Sequence, residues 1–274
     1  MKLILLDLDN TLIDSDYKLN VLDTDFRAVI DRLAQSGVQV GLCSDSAAIT
    51  LNQWALRLGL TGPVISERGA VIWNPVENSA EIIDVSDTNW FQRLREDFVV
   101  ECMREFPGIT IMLGDATRFV KSPGMNLAMT DDILAINGFR TASFSLFAFR
   151  PRSDQQGLEP NQDLLVKASN LIEKMLNRYS KNRDELFWDE NPHYGVLILH
   201  ANITVKSRAI SRIIDRLKPV ETVMIGDGLA DFLDLPYVSQ FAVANADPRY
   251  KAKASFVSAY PLARGVMECL AKYA

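Results

Sequence analysis

Blocks of apolar residues along the chain predict strands and helices in alternation. Four consecutive apolar residues, Leu3 to Leu6, predict a strand buried on both faces. Apolar residues then recur at helical spacing until Gly37, a typical helix terminator, and "VQVGLCSDS" contains a second apolar strand. A second helix ends near Gly59, and "GPVISERGAVIW" predicts two short strands around a turn at Arg68-Gly69. Strand, helix, strand, helix, strand is the order of a doubly wound parallel sheet.

The alternation is interrupted between about residues 78 and 202. This segment contains two helical patterns, around 90–106 and 164–176, and short strand candidates such as "FSLFAFR" and "GVLILH". Strands with packed helices in this order predict an α+β unit. The alternation resumes with a helix from Lys206 to Leu217 and the strand "VETVMI". We therefore predict an α/β fold in which a doubly wound, Rossmann-like parallel sheet core, residues 1–77 plus 203–274, carries an inserted α+β domain, residues 78–202.

Polar residues follow three of the predicted strands directly. Ligands bind beyond the carboxyl ends of the strands in open α/β sheets, so these residues are candidates for a site. They are Asp7 and Asp9, Ser44 and Asp45, and Asp227 with Asp231, and Lys206 stands at the start of a helix. An N-capping or turn cluster is an equally good interpretation of Asp7 and Asp9 alone, and a solvated lysine is the ordinary interpretation of Lys206.

Carboxylates gathered at one sheet edge require a cation, because they would otherwise repel each other. The histidines and cysteines of the chain form no metal-ligand pattern with these aspartates, and hard carboxylate oxygens favour Mg²⁺ over zinc. Ser44 and Lys206 would then offer a hydroxyl and a positive charge to an anion bound beside the metal.

Composition narrows the class of protein. The chain has 274 residues, of which 48% are hydrophobic, enough for a sizeable core in one or two domains. A net charge of −6 disfavours nonspecific binding to nucleic acid or an anionic membrane. The three cysteines are widely separated and form no metal-binding or disulfide pattern. Without a signal peptide or a long apolar segment, the sequence predicts a soluble cytoplasmic protein.

Four short motifs resemble those of the haloacid dehalogenase (HAD) superfamily of phosphohydrolases. "DLDNTL" resembles the first motif, DxDxT, and Ser44 matches the Ser or Thr that ends the second strand. Lys206 matches the third motif, and "GDGLAD", which contains Asp227 and Asp231, matches the fourth, GDxxxD. The motifs occur in the family's order and span residues 7 to 231, so the sequence is identified as a member of this superfamily.

The position of the insertion resembles the C2-capped branch, which includes sugar-phosphate phosphatases. That branch carries a large domain between the second and third motifs, and an Asn-Gly often occupies the turn held here by Arg68-Gly69. Two positions differ from the branch's usual motifs: Ser207 replaces a glycine after Lys206, and Ala230 replaces an asparagine before Asp231. Neither difference removes a charged group that the chemistry needs.

The resemblance implies a Mg²⁺-dependent phosphatase acting through an aspartyl-phosphate. Asp7 is expected to be the nucleophile and Asp9 the general acid and base. The other implied roles are phosphate binding by Ser44, Asp45 and Lys206, metal binding by Asp7, the backbone carbonyl of Asp9, and Asp227, and support of Lys206 or a metal-bound water by Asp231.

The expected partner is a small phosphoester, with a sugar phosphate favoured by the branch. In the inserted domain, Lys121, Arg140, Arg150 and Arg152 are candidates for a second anionic group, although such residues are more often solvated. A phosphomutase, which returns the phosphoryl group to the sugar, is the alternative enzyme. A non-catalytic binding or regulatory protein is the third possibility, and the complete set of charged motif residues disfavours it.

Overall fold

The chain divides into two compact units. The computed structural model describes residues 1–75, 78–83, 88–116, 131–152, 157–179, 181, 183–202 and 205–273. The first unit comprises Met1–Ile83 and Thr204–Ala274, and the second unit comprises Asp84–Ile203.

The elements follow one another along the chain in three groups. The first unit begins with β1 (Lys2–Leu6), α1 (Asp23–Gln35), β2 (Val38–Cys43), α2 (Ala48–Leu58), β3 (Val64–Ser66), β4 (Val71–Asn74) and β5 (Ser79–Ile82). The second unit contains α3 (Thr88–Glu105), β6 (Thr110–Gly114), β7 (Ile133–Asn137), β8 (Ser143–Pro151), β9 (Leu158–Pro160), α4 (Gln162–Arg178), β10 (Leu186–Asn191) and β11 (Val196–Ala201). The first unit resumes with α5 (Lys206–Leu217), β12 (Glu221–Gly226), β13 (Val238–Ala242), α6 (Pro248–Lys251), β14 (Phe256–Val257) and α7 (Leu262–Leu270).

The first unit is built on a sheet with β1 near its middle. The strand order is β14-β13-β12-β1-β2-β3-β4-β5, parallel from β14 to β3 and antiparallel beyond. Side chains of β1 point alternately to its two faces, where Ile4 joins the cluster packed by α1 and α2 and Leu5 joins the cluster packed by α5. Both faces of β1 are therefore buried, which explains its uninterrupted apolar sequence.

The second unit packs two helices on one face of its own sheet. The strand order is β10-β11-β8-β7-β6, with β9 paired to β8. Alternate residues of β8, such as Phe144 and Leu146, join a buried cluster with Phe98 of α3 and Leu165 of α4. Burying an apolar side chain of this size contributes roughly 1.5–3 kcal/mol, so the unit has a substantial core of its own.

The predicted fold class is confirmed, whereas the predicted boundaries differ from the compact units. The sheet of the first unit is doubly wound and mainly parallel, and the second unit is α+β. The first segment ends at Ile83 rather than residue 77, because β5 pairs with β4 as an edge strand of the first sheet. None of the helices in the described ranges has the length and apolarity required to cross a bilayer.

Candidate active site

Three neighbouring strands of the first unit bring polar residues to one edge of the sheet. The parallel register pairs Leu6 with Leu42 on one side and with Ile225 on the other. Asp7, Ser44 and Asp227 therefore follow adjacent strands within one or two residues of the same level. The Asp7 N–H donates to the carbonyl of Ile225 at 2.9 Å, which extends the ladder to the edge of the sheet.

Lys206 is the buried cation of this edge. Its Nζ donates to Oδ1 of Asp7 at 3.1 Å and to Oδ1 of Asp231 at 2.7 Å. Lysine at the first residue of a helix is unfavourable, because the N-terminus of the helix carries partial positive charge. Burial lowers the pKa of Lys206, but Asp231 and Asp7 raise it by more, so the net pKa is well above its usual value. The ammonium therefore remains charged.

Asp231 connects Lys206 to the loop that follows β12. Its Oδ2 accepts hydrogen bonds from the backbone N–H of Asp227 at 3.2 Å and of Gly228 at 3.1 Å. A side chain at Gly226 would displace the Asp231 carboxylate, because a Cβ would lie 2.5 Å from Oδ2 of Asp231. The first glycine of "GDGLAD" is thus explained by the close approach of the Asp231 carboxylate. Ala230, at the position where the family usually has asparagine, is exposed.

Three carboxylates of this edge converge. Asp7, Asp227 and Asp231 each place one oxygen within 4.8 Å of the others. Burial, and then the charge of Asp231, raise the pKa of Asp7 well above its usual value. The same two causes raise the pKa of Asp227 to about 6. Lys206 alone does not balance three carboxylates, so the donor set fits an added hard divalent cation such as Mg²⁺.

Two hydroxyl groups hold the predicted aspartates in place. The Oγ1 of Thr11, which is fully buried, donates to Oδ1 of Asp227 at 3.1 Å. Oγ of Ser46 donates to Oδ2 of Asp9 at 3.0 Å. Sequence reasoning assigned neither contact. Thr11 is the threonine of the DxDxT motif, so the motif could have indicated its contact with Asp227. No sequence signal indicates the contact of Ser46 with Asp9, because it depends on how the loop after β2 approaches Asp9.

Ser44 and Asp45 lie in the loop that follows β2. Ser44 is buried; its N–H donates to the Ile65 carbonyl at 3.0 Å and its Oγ accepts from the Ser46 N–H at 3.3 Å. The nearest oxygen of Asp45 lies 3.9 Å from Nη1 of Arg68. All seven predicted site residues thus belong to the first unit, six of them just beyond strand ends and Lys206 at the start of α5.

Arg140 and Arg150 have side-chain partners within the second unit, and Arg152 has a backbone partner there. Arg140 is buried and its Nη1 donates to Oγ of Ser143 at 3.0 Å. The Nε of Arg150 donates to Glu159 at 2.7 Å. The backbone N–H of Arg152 donates to the carbonyl of Gly157 at 2.9 Å. Lys121 lies outside the described residues.

Solved structures share this fold over the whole chain. A haloacid dehalogenase-like hydrolase from Bacteroides thetaiotaomicron aligns with a TM-score of 0.68 and 17% identity, covering 99% of this chain and 98% of that one. A protein from Thermoplasma acidophilum gives 0.63 and 18%, covering 100% and 98%. A phosphatase of the haloalkanoate (HAD) superfamily, also from B. thetaiotaomicron, gives 0.59 and 15%, covering 100% and 95%.

Sequence comparison identifies the family. No curated protein matches the chain. The family model of haloacid dehalogenase-like hydrolases matches residues 4–270, nearly the full length. The chain therefore belongs to the haloacid dehalogenase-like hydrolases, and the identification made from its four motifs is confirmed.

Proposed function

We propose that this hydrolase is a Mg²⁺-dependent phosphatase that cleaves a small phosphorylated metabolite, a sugar phosphate by preference, through an aspartyl-phosphate on Asp7. The observation that carries the proposal is the contact of Lys206 with both Asp7 and Asp231 beside Asp227. A buried ammonium suits a phosphate dianion. A buried carboxylate and an excess of negative charge suit a divalent cation bound with that dianion. One structural relative is described as a phosphatase, which supports the same class of reaction.

The residues proposed to hold the metal are Asp7, the backbone carbonyl of Asp9, and Asp227. When bound, Mg²⁺ supplies positive charge that lets an anionic carboxylate approach an anionic phosphate. Asp231 also belongs to the carboxylate cluster, but Lys206 and two backbone N–H groups already occupy its oxygens. We therefore assign Asp231 a supporting role and not a ligand role.

The first step transfers the phosphoryl group to the protein. A carboxylate oxygen of Asp7 forms a bond to phosphorus while the bond from phosphorus to the leaving oxygen breaks. Asp9 donates its proton to that leaving oxygen. The hydroxyl of Ser44, the backbone of the Ser44–Asp45 loop and the ammonium of Lys206 stabilise the charge on the remaining phosphate oxygens.

The second step returns Asp7 to its starting state. Asp9, now a carboxylate, takes a proton from water, and the water oxygen bonds to phosphorus as the bond from phosphorus to Asp7 breaks. Inorganic phosphate leaves. The hydrogen bond from Ser46 to Asp9 fixes the carboxyl group that must act in both steps.

We propose that residues 78–202, most of which form the second unit, select the substrate. The seven site residues all lie in the first unit, so phosphoryl transfer needs no group from this insertion, whereas recognition of the leaving group must use other surfaces. Replacing the second unit, Asp84–Ile203, with a short linker leaves β5 in the first sheet and should preserve slow hydrolysis of an aryl phosphate while abolishing discrimination among natural phosphoesters. Circular dichroism must first establish that the remaining core is folded. An unchanged ranking of substrates would contradict this assignment.

The proposed function is tested by measuring phosphate release from a panel of phosphoesters with Mg²⁺. Turnover of at least one sugar phosphate supports the proposal. With a hexose 1-phosphate, appearance of the 6-phosphate in place of free phosphate would identify a mutase. No turnover and no phosphate binding would indicate a non-catalytic protein of this family.

A further inference from the structure

A strained turn lies beside the site. The 3-10 turn Glu67–Gly69 joins β3 to β4, and its first two residues have left-handed backbone angles, with φ 51° at Glu67 and φ 60° at Arg68. Residues other than glycine and asparagine are unfavourable in this conformation. Strain of this kind persists where surrounding contacts impose it, often at functional sites. The position of Arg68 therefore calls for a role of its side chain.

The turn is held between two parts of the site. The Glu67 N–H donates to the carbonyl of Ser46 at 3.1 Å, which ties the turn to the loop after β2. On its other side, Gly69 (φ 96°) packs so closely that a Cβ would lie 2.7 Å from the carbonyl oxygen of Val205. Val205 immediately precedes Lys206. The backbone of the turn thus has contacts with both segments that are proposed to bind phosphate.

The side chain of Arg68 faces Asp45. Its Nη1 lies 3.9 Å from Oδ2 of Asp45, and the two side chains are 21% and 30% exposed. Asp45 directly follows Ser44, and its charge also contributes to the raised pKa of Lys206. A carboxylate at this position repels a phosphate dianion bound by Ser44 and Lys206, unless a cation balances it.

We propose that Arg68 is a positioning residue for phosphate binding: its guanidinium neutralises Asp45, so that Ser44 and Lys206 bind the phosphate dianion without repulsion from the adjacent carboxylate. This inference rests on the proposed function and deepens it. The strained backbone is the structural cost of placing an arginine, in preference to a glycine or asparagine, opposite Asp45.

The substitution Arg68→Asn separates function from stability. Asparagine tolerates a positive φ, so the melting temperature should be maintained or raised, while loss of the guanidinium should raise KM for p-nitrophenyl phosphate about tenfold and change kcat less than about threefold. If the role of Arg68 were merely structural, the substitution would lower both stability and activity. Arg68→Lys keeps the charge and should recover most of the loss in KM.

The matched control is Lys218→Asn. Lys218 is an exposed cation at the end of α5, and it also has a left-handed backbone with φ 48°. This substitution removes the same charge and relieves the same kind of strain away from the site. It should leave KM unchanged.

The decisive comparison uses Asp45→Asn as a second background. Binding of inorganic phosphate in Mg²⁺, measured by isothermal titration calorimetry, reports on the inference without turnover. Arg68→Asn should weaken phosphate binding about tenfold in the parent and less than about twofold in Asp45→Asn, because the charge to be neutralised is gone. Equal weakening in both backgrounds would mean that Arg68 binds the anion directly and would overturn the inference, as would no weakening in either.

Three further outcomes are also decisive. Should Arg68→Asn fail to fold, Asp45→Asn decides in its place: the guanidinium of Arg68 is then no longer balanced by a carboxylate, so phosphate binding should tighten, and weaker binding overturns the inference. A parent that neither binds phosphate nor hydrolyses any phosphoester overturns the proposed function together with this inference. An active parent with unchanged Arg68→Asn kinetics overturns the inference alone.

Discussion

Asp231 holds Lys206 through a hydrogen bond of 2.7 Å between Oδ1 and Nζ. The other oxygen of the same carboxylate accepts from the backbone of Asp227 and Gly228, so a single side chain fixes both the buried ammonium and the loop after β12. Lys206 in turn contacts Asp7 at 3.1 Å. The proposed nucleophile, phosphate-binding cation and metal-binding loop therefore depend on the position of Asp231.

Replacing Asp231 with asparagine should lower kcat/KM at least ~10²-fold, because Lys206 loses the charge that orients it and raises its pKa. Steady-state kinetics with p-nitrophenyl phosphate measure this loss. Asp234→Asn is the matched control, since Asp234 is exposed and lies three residues further along the chain. Activity of Asp231→Asn within threefold of the parent would contradict the assigned role.

Replacing Asp7 with asparagine keeps the shape of the side chain and removes the attacking charge. Turnover should fall at least ~10³-fold, as expected for an essential covalent group. Asp16→Asn, an exposed change in the same N-terminal segment, should have no effect. If Asp7→Asn retains a tenth of the parent's turnover, the covalent mechanism is wrong.

Chelation with EDTA should abolish hydrolysis, and Mg²⁺ should restore it better than Ca²⁺, which prefers more ligands at longer distances. Binding should also be visible without turnover: Mg²⁺ should raise the melting temperature of the parent in a concentration-dependent manner, since a ligand of the native state stabilises it. The Asp227→Asn variant should lose most of this shift. Equal shifts in the two proteins would exclude Asp227 as a ligand.

The ion pair between α1 and α2 should make a pH-dependent contribution to stability. Arg57 donates to Asp23 at 2.5 and 2.9 Å, and these hydrogen bonds lower the pKa of Asp23. Because the folded pKa is the lower one, the stabilisation is complete above the unfolded pKa of about 3.9 and is lost as the pH falls through the folded value.

We therefore expect Asp23→Asn to lower the free energy of unfolding near pH ~7 by at most about 1 kcal/mol, because both side chains are more than a third exposed. The deficit should be smaller at about pH 3, which lies below the unfolded pKa of about 3.9. Asp25→Asn, in the same helical turn but exposed, controls for the interaction of a carboxylate with the helix dipole. A deficit of equal size at both pH values would argue against the ion pair as its source.

Features that depend on local sequence were the most predictable. The apolar run of β1 predicted a strand buried on both faces, and the apolar spacing after Lys206 predicted α5 with its correct bounds. Strands of the second unit such as β6 and β10 escaped prediction, because β6 has only three consecutive apolar residues and β10 changes from apolar to polar residues halfway along. The edge strand β5 also escaped prediction, and the predicted domain boundary fell before it.

Contacts between distant segments were less predictable. The family motifs named the residues at the strand ends, and the parallel register accounts for the proximity of Asp7 and Asp227. The hydrogen bond from Ser46 to Asp9 and the approach of Arg68 to Asp45 follow from the path of loops in three dimensions, which no periodicity encodes.

Because β1 pairs with β12, the two halves of the site are synthesised at different times. Thr11 and its partner Asp227 are 216 residues apart, whereas the second unit, Asp84–Ile203, is one continuous segment. A ribosome therefore delivers the whole sheet of the second unit before it delivers Lys206 or β12. Until residues 221–226 emerge, one edge of β1 has no neighbouring strand. The site is completed only after the second unit has been synthesised, so a nascent chain stopped before residue 221 contains the whole second unit and has an open edge on the strand that leads to Asp7.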